Sequence, residues 1–276
     1  MKIDIEKAKI FFSTGKYQLA IDTCNQILAR DTNSIDALKL IAKSFLATKN
    51  IEDARLYLNK ALDLNPDDYE VIKDLGNTYQ ALGEIETAKN YYRKAIEINN
   101  SYAPALTNLG NLELNSGNTQ QAIPLLIKAT ESDPQLAPAW GNLANGHVQL
   151  GQTKEAEMAC RKAIELNPNL FKSHFLLANI LIAQNQLQEA EIASRKAIEL
   201  KPNLFNHHFL LSNILIAQKR LQEAEQPLRK TIELKPDFAE AYSSLGCLQS
   251  MLGKQSEAES STRKAIALKT DLAEAH

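Results

Sequence analysis

Five asparagines, Asn77, Asn111, Asn145, Asn179 and Asn213, stand 34 residues apart. An amide carries two N–H donors and a carbonyl acceptor, which suits it to the backbone of a peptide whatever that peptide's sequence. Asn108 and Asn142 recur on the same spacing, three places ahead of Asn111 and Asn145. Recognition, not catalysis, is the chemistry this set offers. Other charged residues are repeated as scaffold: Glu157/Arg161, Glu191/Arg195, Glu225/Arg229 and Glu259/Arg263 are acid-then-base pairs four apart. Each such pair is worth a few tenths of a kcal/mol on a solvated helix face. No nucleophile–base pair, phosphate-cradling glycine loop or carboxylate dyad stands apart from the repeat, so no catalytic residue and no enzyme activity is expected. His147, His174, His207 and His208 lack ligand spacing, and Cys24, Cys160 and Cys247 are few, odd in number and far apart. They suggest neither a disulfide framework nor a zinc site, and no metal or cofactor is expected.

The elements that position these residues follow from the same period. Pro66, Pro134, Pro168, Pro202 and Pro236 share one column, with Asn100 in its gap, and alanine occupies another without exception from Ala20 to Ala258. Only a stack of like units produces such columns. The units run 35–68, 69–102, 103–136, 137–170, 171–204, 205–238 and 239–272, after a degenerate one at 1–34. Within 69–102 the apolar period is helical twice, giving helix A over 69–82 and helix B from Ile85 to Ile98, with Gly83 as the stop between them. Lys49, Asn185 and Lys219 replace that glycine in their units, so those turns should be strained or differently shaped. Gly76, Gly110 and Gly246 at the eighth place imply a close helix crossing, expected against the twentieth place of helix B. Pro124 and Pro227 lie inside helix B and should kink it.

Composition narrows the function classes. The chain has 276 residues, 44% hydrophobic and 23% charged, with a net charge of -2. That leaves no basic surface for nucleic acid. No apolar run approaches the roughly 18 residues of a membrane span, and the amino terminus lacks a signal-type stretch. A cytoplasmic protein is expected.

A 34-residue helix–turn–helix with small residues at places 8, 20 and 27 and proline at place 32 resembles the tetratricopeptide repeat. The resemblance covers the whole chain as a single solenoid domain, 1–276, and is weakest in the first unit, which has Lys7, Ile27 and Thr32 at diagnostic places. It implies an all-α, right-handed superhelical solenoid whose A helices line a concave groove with places 2, 5, 6, 9, 12 and 13. The seven asparagines, Lys73, Phe175 and Phe209 fall on those places. Neighbouring helices lie about 8–10 Å apart and an extended peptide advances about 3.3 Å per residue, so one asparagine would meet a bound backbone every three residues or so. Such a ladder resembles that of O-linked N-acetylglucosamine transferases; the alternative is that the amides bond one another. Lys73, Asn77 and Asn108 match three of the five places of the carboxylate clamp of chaperone-binding members, but Pro138 and Asn142 stand where cations are needed. Phe175, Leu176 and Ile182, repeated as Phe209, Leu210 and Ile216, are either an apolar anchor site or core. The implied function is a protein–protein interaction scaffold for an extended peptide or protein segment. The alternative is the substrate-recruiting arm of a larger glycosyltransferase with its catalytic domain beyond residue 276. Residues 271–276 repeat the opening of the unit before, so 273–276 should start a further helix. A longer parent protein, or self-association through an uncapped last helix, would cover that end.

Overall fold

The computed structural model describes residues 2–274, with side chains described for 4–269. Among them the chain forms sixteen α-helices and no strand, in the helical-hairpin repeat that the 34-residue period implies. Two compact units divide it, Met1–Asn142 and Leu143–His276.

The first unit holds α1 (Lys2–Ser13), α2 (Tyr17–Leu28), α3 (Ile35–Ala47), α4 (Ile51–Leu64), α5 (Tyr69–Ala81), α6 (Ile85–Ile98), α7 (Ala103–Asn115), α8 (Thr119–Ser132) and the start of α9 (Ala137–Gln149). Each helix from α1 to α7 packs on the next. Ile41, Leu58, Ile72, Leu75, Tyr92, Leu106 and Leu126 are its largest fully buried side chains, each stabilising by about 1.5–3 kcal/mol relative to exposure. The second unit holds the rest of α9, then α10 (Thr153–Leu166), α11 (Phe171–Ala183), α12 (Leu187–Leu200), α13 (Phe205–Ala217), α14 (Leu221–Leu234), α15 (Ala239–Met251) and α16 (Gln255–Glu274). Helices α10 to α16 pack in succession, over Leu181, Ile214, Leu215, Leu228 and Leu248.

The small-residue columns have the purpose expected of them, with one shift. A Cβ on Gly76 would sit 2.5 Å from the Tyr92 ring, and one on Gly110 would sit 2.7 Å from Leu126 Cγ. Both partners occupy place 24 of helix B, one turn beyond the twentieth place anticipated. The turns also settle into a single shape. Gly83 has φ 81°, and Lys49, Asn185 and Lys219 adopt φ 62°, 59° and 63°. The three substituted turns are therefore strained, not reshaped, because a Cβ crowds the left-handed region. Helices α8 and α14 run through Pro124 and Pro227 without ending.

Two local devices recur at some of the junctions between repeats. At place 31 an Asn or Asp side chain caps the turn: Asn99 Oδ1 accepts from the Ser101 N–H, Asp133 from Gln135 and Asn167 from Asn169. At place 4 a ring N–H donates back to the proline-column carbonyl. Trp140 Nε1 bonds Pro134 O at 3.0 Å, His174 Nε2 bonds Pro168 O at 2.9 Å, and His208 Nε2 bonds Pro202 O at 2.7 Å. A carbonyl can only accept, so both histidines carry their proton on Nε2, and their role is structural.

One expected boundary is absent. Helix α16 continues to Glu274, where a break after about residue 268 and a new helix at 273 had been anticipated. Position 270 is threonine where five of the earlier repeats have proline, so no proline removes a helical N–H there. Residues 275 and 276 of that anticipated helix lie outside the described residues.

Candidate functional site

In the first unit the A-helix side chains are tied to one another. Lys73 is held by Asp74, a buried carboxylate one residue along, which also accepts from Asn77 Nδ2 at 3.2 Å. Asn77 Oδ1 accepts from the Tyr92 hydroxyl at 2.8 Å and from Asn108 Nδ2 at 2.9 Å. Burial pushes the Tyr92 phenol far above its ordinary range, so it remains a donor. Asn77 and Asn108 thus bond each other, the alternative weighed for them. The lysine of the three-residue clamp match is neutralised by Asp74. Asn111 and Asn142 differ: both are half-buried, and among the described residues neither amide has a hydrogen-bond partner. Asp74 was legible as the acidic variant of the column that continues as Asn108 and Asn142, but only the structure pairs it with Lys73.

Behind this face α6 and α7 share a buried ion network. Lys89 Nζ lies 3.0 Å from Glu113, both side chains being 4% exposed, and Arg93 and Asn118 also reach the carboxylate. Burial alone would raise the Glu113 pKa, but bonds from Asn118 and Lys89 outweigh it and hold the acid below its usual value. Burial would likewise lower the Lys89 pKa, and Glu113 and Glu86 reverse that.

In the second unit the same face is apolar and aromatic. Asn145 is half-buried, Asn213 is exposed, and among the described residues neither amide has a partner. Asn179 donates from Nδ2 to the Phe175 carbonyl at 2.8 Å, a bond within its own helix. Phe175 is half-buried and stacks on His207, with ring centres 4.9 Å apart. Phe209, also half-buried, meets Phe238 edge-on at 5.1 Å and packs against the core of α13–α15. Both phenylalanines are thus part wall and part surface. His207, read from the sequence only as lacking ligand spacing, stands in a column that units 35–272 otherwise fill with small residues and valine. It is 2% exposed, and its Nδ1 has no partner. Burial lowers its pKa, outweighing the opposite pull of the Ala197 and Lys201 carbonyls.

The opposite, B-helix face carries the expected acid–base pairs. All four form, and they extend between hairpins through Arg161–Glu189, Arg220–Glu191 and Lys254–Glu225. Burial pushes the Cys24 and Cys160 thiols up to about 11 and about 12, so neither is activated. Among the described residues no group of three or more His, Cys, Asp or Glu side chains could hold a metal ion, and no helix is long and apolar enough to cross a membrane.

Residues 68–276 match the family described as the C-terminal domain of cilia and flagella-associated protein 70, and residues 11–76 match the tetratricopeptide repeat. No curated protein sequence matches the chain significantly. Among solved structures, the APC/C hetero-tetramer Cut9–Hcn1 aligns with TM-score 0.70 at 18% identity, covering 95% of this chain and 52% of that one. This chain therefore spans about half the length of that neighbour. PilF of Pseudomonas aeruginosa aligns with TM-score 0.68 at 21% identity, covering 75% of this chain and 94% of its own. YrrB, described as a TPR protein with an unusual peptide-binding site, aligns with TM-score 0.58 at 26% identity over 65% of this chain and 93% of its own.

Proposed function

The chain belongs to the tetratricopeptide-repeat family, and from that premise we propose that it is a protein-interaction scaffold binding an extended peptide along its A-helix faces. The observation that carries the reading is the set of amides the fold leaves unused: Asn111 and Asn142 in the first unit, Asn145 and Asn213 in the second. Asparagine is a poor helix former, so its repetition mid-helix without an internal bond has no stability rationale. Each amide can give and take one hydrogen bond with a peptide group, whatever side chain that group carries. Lys73, Asn77 and Asn108 act as posts that stiffen the first unit's face. Phe175 and Phe209 supply apolar contact in the second. The peptide-binding site of YrrB supports the same use of the fold by likeness.

The test uses the tightest ligand selected by the wild-type chain from an array of random dodecapeptides. Each lost bond is worth about 0.5–1.5 kcal/mol, so Asn145→Ala with Asn213→Ala should weaken that ligand about tenfold in calorimetry. Melting should stay unchanged. Undiminished affinity in a folded double variant would remove the amides from the site.

A further inference from the structure

Two clusters on the second unit repeat a lysine and two phenylalanines 34 residues apart, joined by a different ring in each, His207 in one and Phe238 in the other. In the first, the Lys201 ammonium lies 5.9 Å from the centre of the Phe171 ring, which meets His207 at 5.8 Å, and His207 stacks on Phe175. In the second, Lys235 lies 4.9 Å from the Phe205 ring and 5.7 Å from Phe238, which meets both Phe205 and Phe209 edge-on at 5.1 Å. Each cluster thus joins one lysine to one of the half-buried phenylalanines of the proposed peptide face.

The scaffold has no evident use for these two cations. They occupy place 31, where Asn99, Asp133 and Asn167 cap the turn, and lysine cannot accept that N–H bond. Among the described residues no carboxylate lies within 4.0 Å of Lys201 or Lys235, whereas on α10, α12 and α14 Arg161, Lys162, Arg195, Lys196, Arg229 and Lys230 are all paired. Helices α11 and α13, which carry the rings, contain no Asp or Glu at all. Lys154, Lys172 and Lys219 also lack an ion pair among the described residues, but Lys201 and Lys235 are the ones that lie over the rings of the aromatic face.

Resting on the peptide-binding reading, we propose that this face selects a peptide in which acidic residues flank an apolar one. The apolar side chain lies against Phe175 or Phe209, and the flanking carboxylates reach Lys201 and Lys235. Charge of one sign beside an apolar contact admits acidic partners and rejects basic ones. Asp237 and Glu240 adjoin the second cluster in sequence, so Lys201 carries more of the selectivity than Lys235.

Two labelled peptides that share one Phe–Leu core, flanked by glutamates in one and by lysines in the other, test this by anisotropy against the full chain. The acidic peptide should bind about tenfold tighter, lose that advantage at about 0.5 M salt, and lose it also in the Lys201→Gln, Lys235→Gln variant. Equal binding of both peptides, each weakened by Phe175→Ala with Phe209→Ala, would overturn the charge selection and leave peptide binding standing. Failure of both peptides to bind would also overturn it, while the array-selected dodecapeptide judges the broader reading separately. Binding indifferent to the phenylalanine variants would take both down.

Discussion

In Met1–Asn142 Lys73, Asp74, Asn77 and Asn108 on the A helices are tied together, with Tyr92 of α6, while Asn111 and Asn142 stay without a partner among the described residues. In Leu143–His276 Phe175, Leu176, Phe209 and Leu210 stand at the equivalent places. Asn145 and Asn213 lack partners among the described residues, Asn179 bonds only its own helix, and Lys201 and Lys235 lie over rings. Both regions use the same hairpin, with the same alanine columns and the same left-handed turns. The difference sits on the A-helix face and in a few buried side chains, not in the hairpin itself. A repeat can therefore tolerate variation on that face, and selection for a ligand would act on those places first. The first unit ties up part of its face and leaves Asn111 and Asn142 free; the second offers rings and lysines beside its free amides.

The sharpest way to break that contrast is in the ion pairs of helix B, at Lys89 (place 21) in the first unit and Arg195 (place 25) in the second. Lys89→Ala would leave Glu113 buried with only a half-exposed arginine and an amide for company, and should cost about 3–5 kcal/mol in urea unfolding. Arg195→Ala, in the second unit, removes a pair whose arginine is 52% exposed and should cost under about 1 kcal/mol. Equal costs would mean that the two units handle charge alike. The pair also sets an acid limit. Because the Glu113 carboxyl is held below its ordinary 4.5, its stabilisation is complete above that pH and fades as pH falls through the lowered value. Lys89→Ala should flatten that fall.

A smaller effect is expected at place 8, where the first unit has Gly76 and Gly110 and the second has Ala178 and Ser212 before returning to Gly246. Gly110→Leu would drive a side chain into Leu126, already 2.7 Å from the position of a Cβ. Overpacking of this kind costs about 1–3 kcal/mol, or several degrees in Tm. An unchanged melting temperature would refute the close crossing. Ala178 already accommodates a Cβ while fully buried, in a hairpin whose place 24 holds the small Ser194 in place of Tyr92 or Leu126.

Much of this was legible before any coordinates. The helix over 69–82 is observed at Tyr69–Ala81, and its partner runs from Ile85 to Ile98, because apolar period and a stop glycine fix both ends. The four acid–base pairs of helix B follow from spacing alone. The identity of the unused amides was not legible. Asn77 and Asn111 occupy the same place, and only the neighbours Asp74, Tyr92 and Asn108 make one a strut and leave the other free. Lys201 and Lys235 were overlooked because a lysine in a turn looks like ordinary surface until the ring beneath it is located. The contact of place 8 was misjudged by one turn because sequence spacing gives a helix face but not the axial offset between two helices.

The finest distinction between the units concerns the left-handed turns. Lys49 in the first unit and Lys219 in the second hold φ 62° and 63°, so the backbone pays no heed to which face the hairpin carries. A non-glycine residue there costs about 1–2 kcal/mol, but glycine returns part of that through the greater freedom of its unfolded chain. Lys49→Gly and Lys219→Gly should each therefore stabilise by about 0.5–1 kcal/mol. Asn185→Gly should gain less, since asparagine visits this region with a smaller penalty. These gains read the turn alone, because Lys49 and Lys219 are both exposed and make no ion pair among the described residues. If Lys219→Gly raised Tm while Lys49→Gly did not, the hairpins of the two units would differ in backbone strain as well as in side chains. The shared scaffold would then have to be described separately for each.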